Sequence, residues 1–146
     1  MMKPISVWKQ ELSGGAHAAR LAALYCCAPE QTPAQAARYE AVLDGLEATF
    51  GPHAEAGLYS APGRTEIGGN HTDHQHGRVL AGSVNIDMIA AAGPNTLGQL
   101  RVQSEGYDLC VIDLNDLAAR KEEENTSAAI LRGECEAFRQ RGAKLS

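Results

Sequence analysis

The chain has 146 residues, a formal net charge of −5, and 44% hydrophobic and 21% charged residues. This composition is typical of a globular protein, and the length predicts one domain, or one domain with an arm. An acidic balance without basic runs argues against nucleic acid or an anionic membrane surface as partner. No apolar run approaches the ~20 residues of a membrane span, so we expect a cytoplasmic protein.

Helical patterning dominates the first half of the chain. We expect one short helix carrying Trp8 and Leu12 and a second over residues 16–25. The strongest helix signal spans residues 33–50, where an apolar stripe recurs at helical spacing. Thr32 is the expected N-cap of this helix, with Gln35 completing a capping box.

The periodicity then changes to two, which is typical of strands. We expect strands over residues 58–61 and 79–92, a hairpin over residues 100–114, and a last helix over residues 126–141. Helices followed by antiparallel strands and a helix predict an α+β domain, with one antiparallel sheet covered by helices on one face. The side chains expected to be buried are Val84, Ile86, Val102 and Val111 on the sheet, and Ile130, Leu131, Cys135 and Phe138 on the last helix.

The four cysteines are two neighbours, Cys26 and Cys27, and two distant residues, Cys110 and Cys135. No Cys-x-x-Cys pair occurs, so their spacing indicates neither a zinc site nor a dithiol redox motif. We expect free thiols that are buried or half-buried.

Residues 61–78 interrupt the strand pattern with glycines and contain three of the five histidines. A cation (Arg64), an acid (Asp73) and two mixed donor–acceptors (Asn70 and His71) fall within ten residues of one another. A sugar suits this mixture, because each hydroxyl group both donates and accepts hydrogen bonds. A glycine pair in the same stretch offers room for close approach of a ligand.

Residues 62–74 resemble the galactokinase signature, usually written P-G-R-V-N-L-I-G-E-H-T-D-Y. Seven positions match without a gap: Pro62, Gly63, Arg64, Gly69, His71, Thr72 and Asp73. The family belongs to the kinases of galactose, homoserine, mevalonate and phosphomevalonate. The resemblance implies their N-terminal domain, a ribosomal protein S5 domain 2-like fold. Residues 1–31 would be a helical arm and residues 32–146 a partial N-terminal domain.

The resemblance also implies an activity: transfer of the γ-phosphoryl group of ATP, with Mg²⁺, to the anomeric hydroxyl of galactose. It makes Arg64 the catalytic residue that stabilises the transferring phosphoryl group. It also implies that Asn70, His71 and Asp73 bind the hydroxyl groups of the sugar. A loose phosphoryl-transfer transition state needs positioning and positive charge more than covalent help, which fits these roles.

Three of the departures from the family pattern matter for the site. Asn70 replaces a glutamate, which removes a charge but keeps an acceptor and adds two donors. Glu66 replaces an asparagine and His74 replaces a tyrosine. We expect both to contact the sugar-binding residues and not the sugar itself.

The family's phosphate-binding loop, at a helix N-terminus, follows the segment that residues 126–145 resemble. We therefore expect a truncated N-terminal fragment of a galactokinase that does not turn over ATP by itself. A non-catalytic galactose-binding sensor and an inactive orphan domain are the alternatives. Truncation would leave sheet surface uncovered, which predicts a homodimer through that surface.

The histidine-rich stretch, residues 71–76, has a second interpretation, as a metal site. His71, Asp73, His74 and His76 are residue types that bind Zn²⁺. The family needs no protein-bound metal at this place, so we expect none.

Overall fold

The computed structural model describes residues 1–52, 55–69, 74 and 76–145. It confirms the α+β class, with helices and antiparallel strands. The chain divides into two compact units, Met1–Pro94 and Asn95–Ser146. Within the described residues, no helix has the length and apolar character needed to cross a membrane.

The first unit combines helices with a three-stranded antiparallel sheet in the order β1-β2-β3. Its elements are β1 (Lys3–Pro4), α1 (Ile5–Ser13), α2 (Ala18–Tyr25), a 3₁₀ turn (Pro29–Gln31), α3 (Thr32–Phe50), β2 (Glu55–Gly68) and β3 (Leu80–Ala92). Both short helices, the long helix and the strand expected at residues 79–92 are thereby confirmed. β1 joins β2 only at its first two residues, Glu55 and Ala56.

The core of the first unit forms where the apolar stripe of α3 meets the other two helices and the sheet. Its buried side chains are Ile5, Trp8, Leu12, Leu21, Tyr25, Ala36, Tyr39, Leu43, Leu46 and Ala56. Half of this set comes from residues 1–31, so that segment shares one core with α3. The division into an arm (residues 1–31) and a partial N-terminal domain (residues 32–146) stays a prediction.

The start of α3 differs from the expected capping box. Thr32 lies inside the helix, and its hydroxyl donates to the carbonyl oxygen of Pro29 at 2.8 Å. Gln35 instead accepts a hydrogen bond from Arg38 at 2.7 Å. The Thr32 side chain therefore has its hydrogen-bond partner in the preceding 3₁₀ turn and not in Gln35.

The sheet of the first unit buries one face only. Leu58, Ile89 and Ala91 pack against the helical core. The alternate side chains point away from it, so Ile86 is 76% exposed and Met88 78%. The burial expected for Ile86 is therefore wrong, and Val84 is only half-buried. We call the exposed side chains of Tyr59, Ile86 and Met88 the open face.

The second unit contains β4 (Gln99–Val102), β5 (Cys110–Asp113), a 3₁₀ turn (Lys121–Glu123) and α4 (Ser127–Gln140). The hairpin is confirmed, but the expectation of one continuous sheet is wrong. Among the described residues, β4 and β5 pair only with each other. Ile112 of β5 packs with Leu117 and Cys135 in a separate core. Val102 is half-buried and Val111 exposed, because only one side of this short ribbon is covered.

The last helix begins as expected, with the Thr126 hydroxyl accepting from the backbone N–H of Ala129 at 3.4 Å. Cys135 is buried and Leu131 half-buried, but Ile130 and Phe138 are exposed, contrary to expectation.

A buried arginine explains the orientation of α4. Arg132 donates to both carboxylate oxygens of Glu123, at 2.8 and 2.7 Å, and to the carbonyl oxygen of Asp116 at 2.5 Å. These contacts turn the face shared by Arg132 and Cys135 inward, so the apolar pattern alone misplaced the helix.

All four cysteines are free thiols. Cys26 is exposed, which corrects the expectation of burial for that residue, while Cys27 and Cys110 are half-buried. Burial raises the pKa of the Cys135 thiol.

Candidate functional site

The first part of the signature lies in a strand. The sequence pattern ended the strand at residue 61, whereas β2 continues to Gly68. Pro62 lies opposite Asp87 of β3, and Arg64 lies opposite Ser83. Since β1 reaches only the beginning of β2, the other side of β2 at Pro62 is an edge among the described residues, and proline is tolerated at an edge.

A β-bulge interrupts the pairing at the first motif glycine. Between those two pairs, Val84, Asn85 and Ile86 lie opposite Gly63 alone. A Cβ atom at Gly63 would lie 3.2 Å from the carbonyl oxygen of Ile86 and 3.2 Å from Cγ2 of Val84. The absence of a side chain therefore lets the bulge approach β2 closely.

The second motif glycine is required for two reasons. Gly69 has a φ of +98°, a conformation that L side chains rarely adopt. A Cβ atom there would overlap the carbonyl oxygen of Arg78 and lie 2.8 Å from Cα of Val79. The sequence predicted close approach of a ligand at this glycine pair. At Gly69, the group that approaches closely is the backbone of Arg78 and Val79. Gly68 faces open space.

Gly69→Ala is expected to lower the free energy of unfolding of the first unit by about 1–3 kcal/mol, because alanine is strained at this backbone conformation. The measurement is a urea titration followed by the fluorescence of Trp8, the single tryptophan. Gly68→Ala is the matched control, since its Cβ atom would meet nothing within 4 Å. Equal stability of the two variants would contradict this packing.

Arg64 presents its guanidinium to solvent from β2. Its side chain is 68% exposed, and Nη2 lies 3.6 Å from Oε1 of Glu66, two residues along the same strand. An ion pair of this length whose cation is exposed contributes little stability. The arrangement leaves a cation on a strand pair, accessible to an anionic group.

The remaining predicted site residues are only partly covered by the structure. Asn70, His71 and Asp73 lie outside the described residues. His74 is described and is exposed. The structure thus brings together the two predicted residues on β2, and the sugar-binding assignments stay predictions.

The alternative metal site depends partly on the same undescribed stretch. Within the described ranges, no three histidine, cysteine or acidic side chains lie close enough together to hold a metal ion.

A buried polar network behind the signature was missed by the sequence analysis. The Asp87 side chain is only 3% exposed. It accepts hydrogen bonds from the hydroxyl of Tyr25 at 2.6 Å, from that of Ser60 at 2.6 Å and from the guanidinium of Arg38 at 2.8 Å. The Tyr25 and Tyr39 hydroxyls lie 2.7 Å apart. The sequence feature that could have indicated this network is that Asp87 is the single charged residue in β3.

These contacts fix the protonation states in the network. Burial raises the pKa of Asp87, but hydrogen bonds from Ser60, Tyr25 and Arg38 outweigh it and hold the pKa below its ordinary value of 3.8. Burial, followed by the contact with Asp87, raises the pKa of Tyr25. The carboxylate therefore stays ionised while the Tyr25 hydroxyl stays protonated and donates to it.

Stability should therefore fall at acid pH in a way that depends on Asp87. A carboxylate with a lowered pKa contributes its full stability above the unfolded value of 3.8 and loses it as the pH falls through the folded value. Urea titrations between about pH 5 and pH 3 should show a steeper loss for the wild-type chain than for Asp87→Asn. Parallel losses would show that folding does not lower the pKa of Asp87.

Comparison with protein families gives one match. Residues 46–94 match the family described as the galactokinase galactose-binding signature, a segment of about a third of the chain. The match begins in the last turns of α3, spans β2 and β3, and ends at the boundary of the first unit. No curated protein and no solved structure matches the chain. The β2–β3 hairpin, together with the end of α3, therefore carries the galactose-binding signature of the galactokinases.

Proposed function

We propose that this chain supplies the galactose-binding part of a protein that phosphorylates galactose at its anomeric hydroxyl with ATP and Mg²⁺. The match of residues 46–94 to the galactose-binding signature carries the proposal. The chemistry of the residues supports it. Asp73 can accept from two adjacent hydroxyls through charge-assisted hydrogen bonds, and Asn70 and His71 can both donate and accept.

We expect no phosphate cradle for ATP among the described residues. Such a cradle needs free backbone N–H groups at a helix start, commonly on a glycine-rich loop. Gly14 and Gly15 precede α2, but their N–H groups donate back to the carbonyl oxygens of Gln10 and Leu12. At the start of α4, the Thr126 side chain already accepts from a backbone N–H. We therefore place the binding of ATP and Mg²⁺ outside the described residues.

Titration calorimetry of the chain with galactose, glucose and N-acetylgalactosamine tests the proposed sugar site. We expect galactose to bind most tightly, because buried polar partners reject sugars that lack the matching hydroxyl. Differential scanning calorimetry should show the same order, since a ligand that binds only the folded state stabilises it. Equal heats for all three sugars, or none, would contradict the proposal.

Sugar binding without phosphoryl transfer is the second candidate function. The expected lack of a phosphate cradle among the described residues favours it. A coupled assay with galactose and Mg-ATP on the 146 residues should then show background only. Turnover that depends on galactose and is lost in Arg64→Ala would favour the kinase.

A homodimer and a cytoplasmic location are also part of the proposal. A second copy would pack on the open face, whose side chains are apolar and exposed. Sedimentation velocity over a range of concentrations tests the dimer. A monomer at every concentration would contradict it.

A further inference from the structure

One residue of α2 contacts β3 at two points, within the bulge and directly after it. The hydroxyl of Tyr25 donates to Oδ2 of Asp87 at 2.6 Å. Its backbone carbonyl accepts from Nδ2 of Asn85 at 3.4 Å. Asn85 is the middle residue of the bulge and Asp87 is the paired residue that follows it, so the end of α2 holds the bulge at its centre and at one end.

The same network holds the strand that carries Arg64. Asp87 lies directly opposite Pro62, two residues before Arg64. The hydroxyl of Ser60, on β2, donates to the Asp87 carboxylate at 2.6 Å. The carboxylate therefore ties α2, β2 and β3 together at the point where the bulge begins.

We propose that Tyr25 and Asp87 form a clamp that positions Arg64. A bulge bends the strand pair and changes its local twist. Holding the bulge in one conformation therefore sets the direction in which the guanidinium leaves β2. The clamp itself is inferred from the contacts of α2, β2 and β3. Only the binding of a ligand by Arg64 depends on the proposed function.

The chemistry of the network distinguishes a clamp from ordinary core packing. Well-packed apolar side chains often stabilise a core as well as a buried charge with its partners does. Hydrogen bonds to a buried carboxylate are directional, and they penalise any slip that separates donor from acceptor. A slip of one residue would turn every β2 side chain to the other face, so a directional contact beside the bulge fixes the register before Arg64.

Nuclear magnetic resonance of the ¹⁵N-labelled chain tests the clamp. The reporters are the backbone amide of Gly63 and the Nε–Hε group of Arg64, the latter assigned by its loss in Arg64→Lys. Tyr25→Phe removes only the hydroxyl, and Asn85→Ala removes the other contact from an exposed position. We expect both reporter signals to shift or broaden in both variants, while the amide of Gly133 in the second unit stays unchanged.

Trp8→Phe is the matched control for lost stability. Its indole N–H donates to the carbonyl oxygen of Ala56 at 2.8 Å, so it also removes one buried hydrogen bond to β2, but far from the bulge. The clamp requires the Gly63 and Arg64 signals to stay in place in this variant. Equal changes in Trp8→Phe and Tyr25→Phe, or unchanged signals in Tyr25→Phe and Asn85→Ala, would overturn the clamp.

Galactose titration of the same samples separates the clamp from the proposed function. A wild-type chain that does not bind galactose contradicts the proposed function, while the reporter shifts would still support the clamp. A wild-type chain that binds galactose without reporter shifts in the variants supports the function and overturns the clamp.

Discussion

Asp73→Ala is expected to weaken galactose binding by about ten- to several-hundred-fold. The carboxylate is proposed to accept from two adjacent sugar hydroxyls, and its removal leaves buried hydroxyls without partners. Removing a buried hydrogen-bond partner costs about 1–3 kcal/mol, and more where a charge is involved. Isothermal titration calorimetry of the variant and the wild-type chain measures the change.

Two further variants give this experiment its controls. Arg64→Ala should leave galactose binding within about twofold of wild type, because Arg64 is proposed to meet a phosphoryl group rather than the sugar. Asn70→Glu restores the family's residue and should change the preference between galactose and its 6-deoxy analogue. If Asp73→Ala and Asn70→Glu both bind galactose as the wild type does, the sugar-site assignment is wrong. A zinc titration of the histidine-rich stretch would then be the next measurement.

Leu43→Ala is expected to lower the free energy of unfolding of the first unit by about 2–5 kcal/mol. Leu43 is fully buried on α3, within the core shared by the three helices and the sheet. Truncation there removes apolar contacts and leaves a cavity that the surrounding elements can only partly fill. Urea unfolding followed by the fluorescence of Trp8, which belongs to the same core, measures the loss.

Leu24→Ala on α2 is the matched control. Leu24 is 49% exposed, so the same truncation should change the free energy of unfolding by only about 0.5 kcal/mol. Similar losses for the two variants would show that α3 does not form the centre of the core.

Much of the fold could be predicted because its periodic segments are long. The stripe of α3 and the alternation of β3 each continue for more than ten residues, so local pattern and tertiary packing agree. The end of β2 could not be predicted in this way. Pro62 and Gly63 are typical of turns, and they lie in a strand here because one side of β2 is an edge and the other meets a bulge.

Partners that are distant in sequence could not be predicted. Alternation in β3 predicts two faces but does not say which face the helices cover, so Ile86 was expected inside and lies outside. The contact between Tyr25 and Asp87 joins residues 62 positions apart, and no local pattern encodes it. An isolated charge in an apolar strand does indicate that a partner is needed, although it does not identify that partner.

The open face has a practical consequence for work at the bench. Tyr59, Ile86 and Met88 are each more than half exposed on one side of the sheet. Dyes that fluoresce on apolar surface should therefore bind the native chain and give dye-based melting curves a high starting signal. Met88→Lys, which places a charge on this surface away from the helical core, should reduce that signal and improve solubility during purification.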